Sequence, residues 1–201
     1  RSFHVTGVQT CALPIFRQEG CRGVQATSSV AIQRRHSGVR TFVKISKAPS
    51  IGLADAVALA RKVRALGGRV VFTNGVFDLL HPGHVRYLQQ ARGLGDALIV
   101  GVNSDRSVRA IKGPGRPVNT EIERVEILLA LSAVDAAVIF DEGTPLELIT
   151  ALEPDILVKG SDWPADQIVG REFVEARGGQ VVLMPFSQGH STTHLIDRVR
   201  R

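Results

Sequence analysis

Five short apolar runs alternate with helical patterns over residues 45–201, and this alternation is the strongest constraint on how the chain can fold. The runs are residues 70–73, 97–102, 136–140, 156–158 and 181–184. Short, continuously apolar strands separated by helices are typical of a parallel sheet that is covered on both faces. The sequence therefore predicts one doubly wound α/β domain built on a five-stranded parallel sheet.

Helical patterns fill the intervals between these runs. We predict helices over residues 53–66, 84–92, 121–131 and 145–152, and a last helix that begins near Ser191. The first helix is followed by Gly67 and Gly68, where glycine supplies the left-handed conformation that ends many helices. In sheets of this kind, ligands bind beyond the carboxyl ends of the strands. Candidate functional residues are therefore sought directly after each strand.

The positive charge of the chain is concentrated near its N-terminus. The 201 residues have a formal net charge of +6, but residues 1–50 contain eight Lys or Arg and one acid, Glu19. Residues 51–201 carry 17 basic and 18 acidic side chains, a net of −1. Because this part is close to neutral, we expect no nucleic-acid partner. No apolar run approaches the ~18 residues of a membrane span, so we expect no membrane partner either.

The first 44 residues differ from the rest of the sequence. Residues 1–43 show no sustained helical or strand periodicity. Residues 5–15, VTGVQTCALPI, resemble the translation of a DNA-sequencing adapter. We therefore predict an unstructured and at least partly artefactual leader over residues 1–44, and a domain over residues 45–201. Both cysteines, Cys11 and Cys21, lie in the leader; a domain without thiols is compatible with a reducing compartment, and we expect a cytoplasmic protein.

A pair of histidines follows the first predicted strand. Residues 73–84 read TNGVFDLLHPGH, which places His81 and His84 three positions apart where a helix opens. Free N–H groups and the helix dipole attract anions at such a point, so two imidazoles add donors to a phosphate site. Gly75 permits a tight turn, and Gly83 allows the backbone to approach a ligand closely. The alternative is that one histidine caps the helix and the other packs.

The segment after the second strand carries two cations. Lys112 and Arg116 lie in residues 111–117, IKGPGRP, which glycine and proline keep irregular. Opposite a triphosphate, such cations would offset the charge that builds on the transferring and leaving phosphates. A solvated basic loop is the alternative.

The motif at residues 73–84 resembles the His-x-Gly-His signature of the nucleotidyltransferase superfamily, whose members transfer a nucleoside monophosphate from a triphosphate to a phosphorylated acceptor. Further motifs over about residues 50–201 resemble, in order, those of the adenylyltransferases of the ADP-heptose pathway: Val102-Asn103-Ser104-Asp105, Lys112-Gly113 with Arg116-Pro117, Thr144-Pro145, Val158-Lys159-Gly160, Ile168-Val169-Gly170 and Gly189-His190-Ser191-Thr192-Thr193. This resemblance implies a Rossmann-like fold of the nucleotidyltransferase type. The first strand is not followed by Gly-x-Gly-x-x-Gly, and the chain has no Walker pattern, which disfavours a dinucleotide oxidoreductase and a P-loop kinase.

The resemblance also implies roles for the matching residues. His81, His84 and Lys112 are expected to be catalytic. Asn103, Asp105 and Arg116 are expected to contact the acceptor. The expected nucleotide contacts are Asn74, Gly75, Phe77, Asp78, Gly83, Arg124, Lys159, Gly160, Asp162, Trp163, Ser191, Thr192 and Thr193. Asp78 is expected to orient the site or to lie near magnesium. No protein metal ligand is assigned, because Mg²⁺ is expected to accompany ATP.

Three of these residues also have simple structural interpretations. Arg124 lies close to Glu121 and Glu123, and a surface ion pair would explain it. Trp163, the only tryptophan, would fit in the core beside a capping turn. Ser191 would serve as the N-cap of the last helix, a role worth ~1 kcal/mol.

The implied reaction is transfer of AMP from ATP to D-glycero-β-D-manno-heptose 1-phosphate, in the synthesis of lipopolysaccharide core precursors. Phe186 favours this branch, because related cytidylyltransferases carry arginine there, whereas Asp162-Trp163 also occurs in those enzymes. The alternatives are a glycerol-3-phosphate cytidylyltransferase, another adenylyltransferase of the superfamily, and a noncatalytic nucleotide-binding module. The expected partners are ATP, a phosphorylated sugar, a second copy of the chain in a homodimer and, in the parent protein, an upstream sugar kinase domain.

Overall fold

A five-stranded, all-parallel sheet forms the centre of the domain. The computed structural model of the chain describes residues 29–30, 45–46, 52–161, 164 and 167–185. The strands are β1 (Ser29–Val30), β2 (Ile45–Ser46), β3 (Val70–Gly75), β4 (Ala97–Asn103), β5 (Ala136–Phe140), β6 (Ile156–Gly160) and β7 (Gln180–Met184). The last five lie side by side in the order β5-β4-β3-β6-β7. The predicted doubly wound fold is confirmed.

Helices connect these strands as the sequence predicts, with two additions. They are α1 (Leu53–Ala65), α2 (Pro82–Arg92), α3 (Asp105–Lys112), α4 (Glu121–Leu129), α5 (Leu146–Leu152) and α6 (Arg171–Ala176). Four of them match predicted helices to within two residues at each end. α3 and α6 were not predicted; α3 includes Ile111 and Lys112, which were assigned to an irregular loop. The helix predicted from Ser191 lies outside the described residues.

The core consists of two apolar layers, one on each face of the sheet. α1, α5 and α6 pack on one face, where Phe72 of β3 and Leu157 of β6 are fully buried. α2 and α4 pack on the other face, where Val71 and Val158 are fully buried. Because successive side chains of a strand point to opposite faces, both faces need apolar residues, and the strands are apolar throughout.

The connections after β3 and β6 leave the sheet on opposite faces. β3 leads into α2, whereas the neighbouring strand β6 leads towards α6 on the other face. Two neighbouring strands whose connections diverge in this way leave a crevice at their carboxyl ends, and ligands of doubly wound proteins bind there. Asn74 near the end of β3 and Lys159 near the end of β6 mark this crevice.

A separate two-residue ladder precedes the five-stranded sheet in the sequence. β1 and β2 pair antiparallel, with Ser29 opposite Ser46 and Val30 opposite Ile45. The division into a leader over residues 1–44 and a domain over residues 45–201 stays a prediction. Within the described residues, no helix is long and apolar enough to cross a membrane.

Gly170, the N-cap of α6, combines backbone strain with a close contact. Its φ is 87°, and a Cβ there would lie 2.6 Å from Cδ1 and 3.1 Å from Cγ2 of Ile149, which is fully buried on α5. Gly170→Ala therefore adds steric overlap to left-handed strain. We expect it to lower the free energy of unfolding by ~2–4 kcal/mol, measured by urea denaturation.

Gly178→Ala is the matched control for this prediction. Gly178 has a φ of 79°, but nothing lies within 4 Å of its added Cβ. Only the backbone strain of ~1–2 kcal/mol is expected there. Equal losses in the two variants would show that the contact with Ile149 has no energetic weight.

Candidate active site

His81 and His84 lie together where α2 begins. His81 is the N-cap of the helix, and its Nδ1 accepts a hydrogen bond of 3.3 Å from the backbone N–H of His84. The two rings stack, with centroids 3.8 Å apart and 17° between their planes. Because Nδ1 of His81 is an acceptor, the neutral ring carries its proton on Nε2. The capping alternative therefore holds for His81, and its phosphate contact stays a prediction.

His84 lies in an environment that disfavours its charged form. Burial, and secondarily repulsion from His81 when that ring is protonated, lowers the pKa of His84 to about 4. Its Nδ1 is buried and has no hydrogen-bond partner among the described residues. At neutral pH the ring is therefore a neutral donor to a phosphate oxygen, not a cation. Since its folded pKa lies below the unfolded value, its contribution to stability is present above about pH 6.5 and is lost as the pH falls towards 4.

The turn between β3 and α2 differs from the prediction in one detail. Phe77, and not Gly75, adopts a left-handed backbone conformation, with a φ of 46°. A Cβ at Gly75 would lie 3.2 Å from Cε2 of Phe77, so the missing side chain makes room for the aromatic ring. That ring meets His84 edge-on, with centroids 5.5 Å apart. Gly75 therefore contributes packing space, and the strained residue is Phe77.

Asp78 ties the loop before α4 to the histidine motif. Its buried carboxylate accepts hydrogen bonds from Arg116 Nε at 2.6 Å and from the backbone N–H groups of Val118 at 2.8 Å and Asn119 at 3.0 Å. Its backbone oxygen accepts a further bond of 3.1 Å from Nδ2 of Asn119. Both carboxylate oxygens are occupied, so the geometry favours the orienting role of Asp78 over a position near magnesium. Arg116, the predicted acceptor contact, is held in this ion pair.

Arg124 holds three loops at the carboxyl edge of the sheet. Its Nη1 donates to the backbone oxygen of Val76 at 2.6 Å. Its Nη2 donates to the backbone oxygen of Asn103 at 2.7 Å and to Oδ1 of Asp105 at 2.8 Å, and its Nε donates to the backbone oxygen of Asn119 at 3.2 Å. The side chain is fully buried. One guanidinium group thus fixes the exits of β3 and β4 and the entry to α4.

The surface ion pair considered for Arg124 does not exist. Arg124 pairs with Asp105, while Glu121 accepts a bond of 2.7 Å from the backbone N–H of Asp105. Glu123 forms a capping box with Thr120 at the start of α4. The prediction of a surface ion pair fails because the whole Arg124 side chain is buried. A buried guanidinium group needs several acceptors, more than one exposed carboxylate supplies. Its nucleotide contact stays a prediction.

The predicted acceptor contacts Asn103 and Asp105 belong to the same network. Asn103 is buried, and its Nδ2 donates to Oγ of Ser107 at 3.1 Å. Asp105 is half-buried and begins α3. The structure brings both residues next to Arg124; whether they reach an acceptor stays a prediction.

Lys159 and Asn74 meet across the crevice between β3 and β6. Nζ of Lys159 donates a hydrogen bond to Oδ1 of Asn74. Burial lowers the pKa of Lys159 to about 8. Because alternate residues of a strand share a face, Asn74 lies on the same face of the sheet as Phe72, and Lys159 on the same face as Leu157. α2 packs on the opposite face. They therefore approach the crevice from the side opposite to the histidine pair.

The remaining predicted residues divide into placed and undescribed ones. Lys112 is exposed and is the last residue of α3, which ends at Gly113 with a φ of 91°. Gly83 is buried in the first turn of α2, and Gly160 ends β6. The predicted residues outside the described part of the chain are Asp162, Trp163, Ser191, Thr192 and Thr193.

Two residues near the motif were not identified from the sequence. Asn119 binds Asp78 through both its backbone and its side chain. It precedes the Thr120–Glu123 capping box, a start signal for α4 that would have drawn attention to it. Tyr87 of α2 shares a buried hydrogen bond of 2.8 Å with Oγ1 of Thr73; no local pattern points to it, because its partner lies on another element.

The donors around the crevice suit a phosphate group. They are imidazole nitrogens on one side of the crevice and the ammonium nitrogen of Lys159 on the other. In the part of the chain that the structure describes, no group of three or more His, Cys, Asp or Glu residues could hold a metal ion. Protein-only binding of Mg²⁺, which prefers oxygen ligands, does not fit this set.

A doubly wound parallel sheet, with a histidine pair at the start of the helix that follows β3, defines the class of α/β nucleotidyltransferases. The family model described as cytidylyltransferase-like matches residues 72–198. The chain belongs to this cytidylyltransferase-like family.

Relatives named bifunctional protein HldE are similar to most of the chain. The protein from Citrifermentans bemidjiense is 57% identical over 178 residues, and that from Hyphomonas neptunium is 46% identical over 176 residues. Each alignment covers 88% of this chain but 36% of the relative, so the chain spans about a third of the length of these relatives. A solved structure, the lipopolysaccharide core biosynthesis protein from Thermoplasma volcanium, is 31% identical with a TM-score of 0.51, covering 62% of this chain and all of that one.

Arg124→Lys tests the role of the buried guanidinium. Lysine keeps the charge but cannot reach acceptors on three loops at once, which leaves buried backbone oxygens without donors. We expect a loss of roughly 2–4 kcal/mol in the free energy of unfolding, measured by urea denaturation. Arg61→Lys, on the exposed side of α1, is the matched control and should change stability by less than ~0.5 kcal/mol. A similarly small change for Arg124→Lys would contradict the network.

Proposed function

We propose that the chain transfers AMP from ATP to D-glycero-β-D-manno-heptose 1-phosphate, giving ADP-heptose and pyrophosphate. The observation that carries this proposal is the stacked histidine pair at the N-terminus of α2, beside the crevice of a cytidylyltransferase-like fold. The ordered motifs that resemble ADP-heptose adenylyltransferases support the substrate. The similarity to bifunctional HldE proteins and to a lipopolysaccharide core biosynthesis protein supports the same assignment.

The proposed reaction is an in-line displacement at the α-phosphorus of ATP. An oxygen of the sugar 1-phosphate forms the new P–O bond, and the bond from the α-phosphorus to the bridging oxygen breaks, so that its electron pair leaves with pyrophosphate. Such a reaction depends on positioning and on charge stabilisation, and it needs no covalent nucleophile. The neutral His84 ring and the His81 cap are proposed to donate hydrogen bonds to phosphate oxygens as charge develops there.

The surrounding network would keep these donors in place. Arg124 joins the exit of β3 to the exit of β4, and Asp78 joins the histidine motif to the loop that carries Arg116. Lys112, at the exposed end of α3, is proposed to bind the leaving pyrophosphate. Because these contacts hold the histidine motif and the loop that carries Arg116, the donors would require little rearrangement when ATP binds.

Mg²⁺ is proposed to enter with ATP. Its contribution would be to neutralise part of the charge of the triphosphate. The phosphates would provide its main ligands, since Asp78 already uses both carboxylate oxygens.

The wider context of the reaction is also a proposal. The relatives are described as bifunctional, and the aligned region is 36% of their length. We infer a sugar kinase domain upstream in the parent protein, which would supply the phosphorylated acceptor. Use of ATP and of a sugar phosphate supports a cytoplasmic site of action, and a homodimer stays a prediction.

The His84→Ala variant tests the catalytic role of the histidine pair. If His84 acts mainly where charge develops in the transition state, its loss should lower kcat by roughly 10²-fold or more. The KM for ATP should stay within a few-fold of the wild-type value. Steady-state pyrophosphate release measures both constants. Unchanged kcat with weaker ATP binding would identify His84 as a ground-state contact.

A panel of nucleotides and acceptors tests the substrate assignment. Pyrophosphate release is measured for ATP and CTP, each with heptose 1-phosphate and with glycerol 3-phosphate. A mismatched base edge leaves buried polar groups unpaired, so we expect CTP to be poorer than ATP by roughly a hundredfold or more in kcat/KM. If CTP with glycerol 3-phosphate is the better pair, the cytidylyltransferase alternative replaces the proposal. No pyrophosphate release with any pair would favour the noncatalytic binding module.

A further inference from the structure

Lys159 is a half-buried cation that the proposed chemistry does not yet use. It follows Val158 at the end of β6, and its only hydrogen-bond partner among the described residues is the neutral side chain of Asn74. Within the described part of the chain, no carboxylate pairs with Lys159, and burial is the cause of its lowered pKa. A buried ammonium group without a counter-charge is unfavourable unless a ligand supplies that charge.

The family resemblance assigned Lys159 to the nucleotide, at a position suited to the adenine and ribose. Adenine and ribose are neutral, so neither would compensate the charge of a buried ammonium group. A phosphate group would do so, and a charge-assisted hydrogen bond to phosphate is stronger than one to a neutral acceptor. The ligand of Lys159 is therefore expected to be a phosphate.

The position of Lys159 relative to the histidine pair indicates which phosphate it contacts. His81 and His84 begin α2, which packs on one face of the sheet, whereas Lys159 and Asn74 lie on the strand face covered by α1, α5 and α6. In an in-line displacement, the entering and leaving oxygens lie on opposite sides of the phosphorus atom. If the histidines hold the phosphates of ATP, a cation that reaches the crevice from the other face meets the entering group.

We propose that Lys159, oriented by Asn74, forms the subsite for the phosphate of the acceptor. The inference rests on the proposed function for the assignment of ATP to the histidine side. It makes Lys159 a substrate-binding residue and Asn74 a positioning residue that acts through it. Asn74 is well placed for this, because a Cβ at neighbouring Gly101 would lie 3.0 Å from Cβ of Asn74, so glycine there makes room for its side chain.

Substitution of Lys159 separates the acceptor from ATP. Lys159→Met keeps the length and the apolar stem of the side chain but removes the charge. We expect the KM for the acceptor to rise roughly 10-fold or more, with the KM for ATP within about 3-fold of wild type. Lys159→Arg, which keeps a cation, should lose less acceptor affinity than Lys159→Met. A rise confined to the KM for ATP, or no change in either KM, would overturn the proposal.

Isosteric substitution of Asn74 tests the positioning role. Asn74→Asp preserves the shape of the side chain but places a carboxylate on Lys159, which supplies the counter-charge and repels an incoming phosphate. It should therefore raise the KM for the acceptor more than Asn74→Ala does. Thermal unfolding of both variants shows whether they are folded. A folded Asn74→Asp variant with wild-type acceptor KM would contradict the role of Asn74.

The pH dependence provides a readout that a purely structural lysine would not change. The charged form of Lys159 is present below its pKa of about 8 and is lost above it. In wild type, kcat/KM for the acceptor should fall as the pH rises through about 8. Asn74, the group in contact, does not titrate, and among the residues that the structure describes no charged side chain contributes to the shift. Arginine stays charged, so the fall in kcat/KM should be absent in Lys159→Arg. If the variant still shows the fall, another group titrates and this part of the proposal is overturned.

The design distinguishes failure of this inference from failure of the proposed function. All comparisons use the acceptor that wild type turns over best, whichever sugar or polyol phosphate that is. If wild type turns over none, calorimetry with inorganic phosphate compares binding by wild type and by Lys159→Met without nucleotide. Weaker phosphate binding by the variant supports the subsite even then, and equal binding overturns it.

Discussion

The buried guanidinium of Arg124 is the interaction on which the geometry of the candidate site depends. Backbone oxygens at the exits of β3 and β4 and before α4 would otherwise be buried without donors, and Arg124 satisfies one in each segment. Its charge is balanced by Asp105 at 2.8 Å, so the burial of a cation is tolerated. Asp78 is the corresponding buried anion. Its carboxylate accepts hydrogen bonds from Arg116 and from two backbone N–H groups. Together the two residues connect the histidine motif to loops that are distant in sequence.

The fold could be predicted because burial on both faces leaves an unbroken apolar run in every central strand. The same rule explains the errors. β3 and β6 continue past the predicted ends at Thr73 and Val158, since Asn74 and Lys159 are polar where the strands reach the crevice. α3 and α6 escaped prediction because each is short and buries few side chains, among them Val108 and Val174. The apolar pattern therefore fails where the chain is short or approaches a ligand site.

The site was predictable to the extent that its chemistry is local. His81 and His84 are three positions apart at a helix start, and that spacing alone predicts a shared phosphate site. Three of the four partners of Arg124 are backbone oxygens, up to 48 residues away, and a backbone oxygen carries no information about residue type. A surface ion pair with the neighbouring glutamates was the natural local interpretation, and only the packing of α4 against the sheet shows that it is wrong. Long-range networks of this kind are visible only in three dimensions.

The electrostatics of the crevice are adapted to a ligand that brings its own negative charge. Without ligand, burial favours the neutral forms of both His84 and Lys159. It lowers the pKa of His84 to about 4 and the pKa of Lys159 to about 8. A phosphate group beside either side chain favours its charged form, which opposes the effect of burial. The donors would therefore gain positive character as negative charge accumulates on the phosphates, where transition-state stabilisation is needed. Placing one such group on each face of the sheet would let a single crevice hold both the leaving and the entering phosphate.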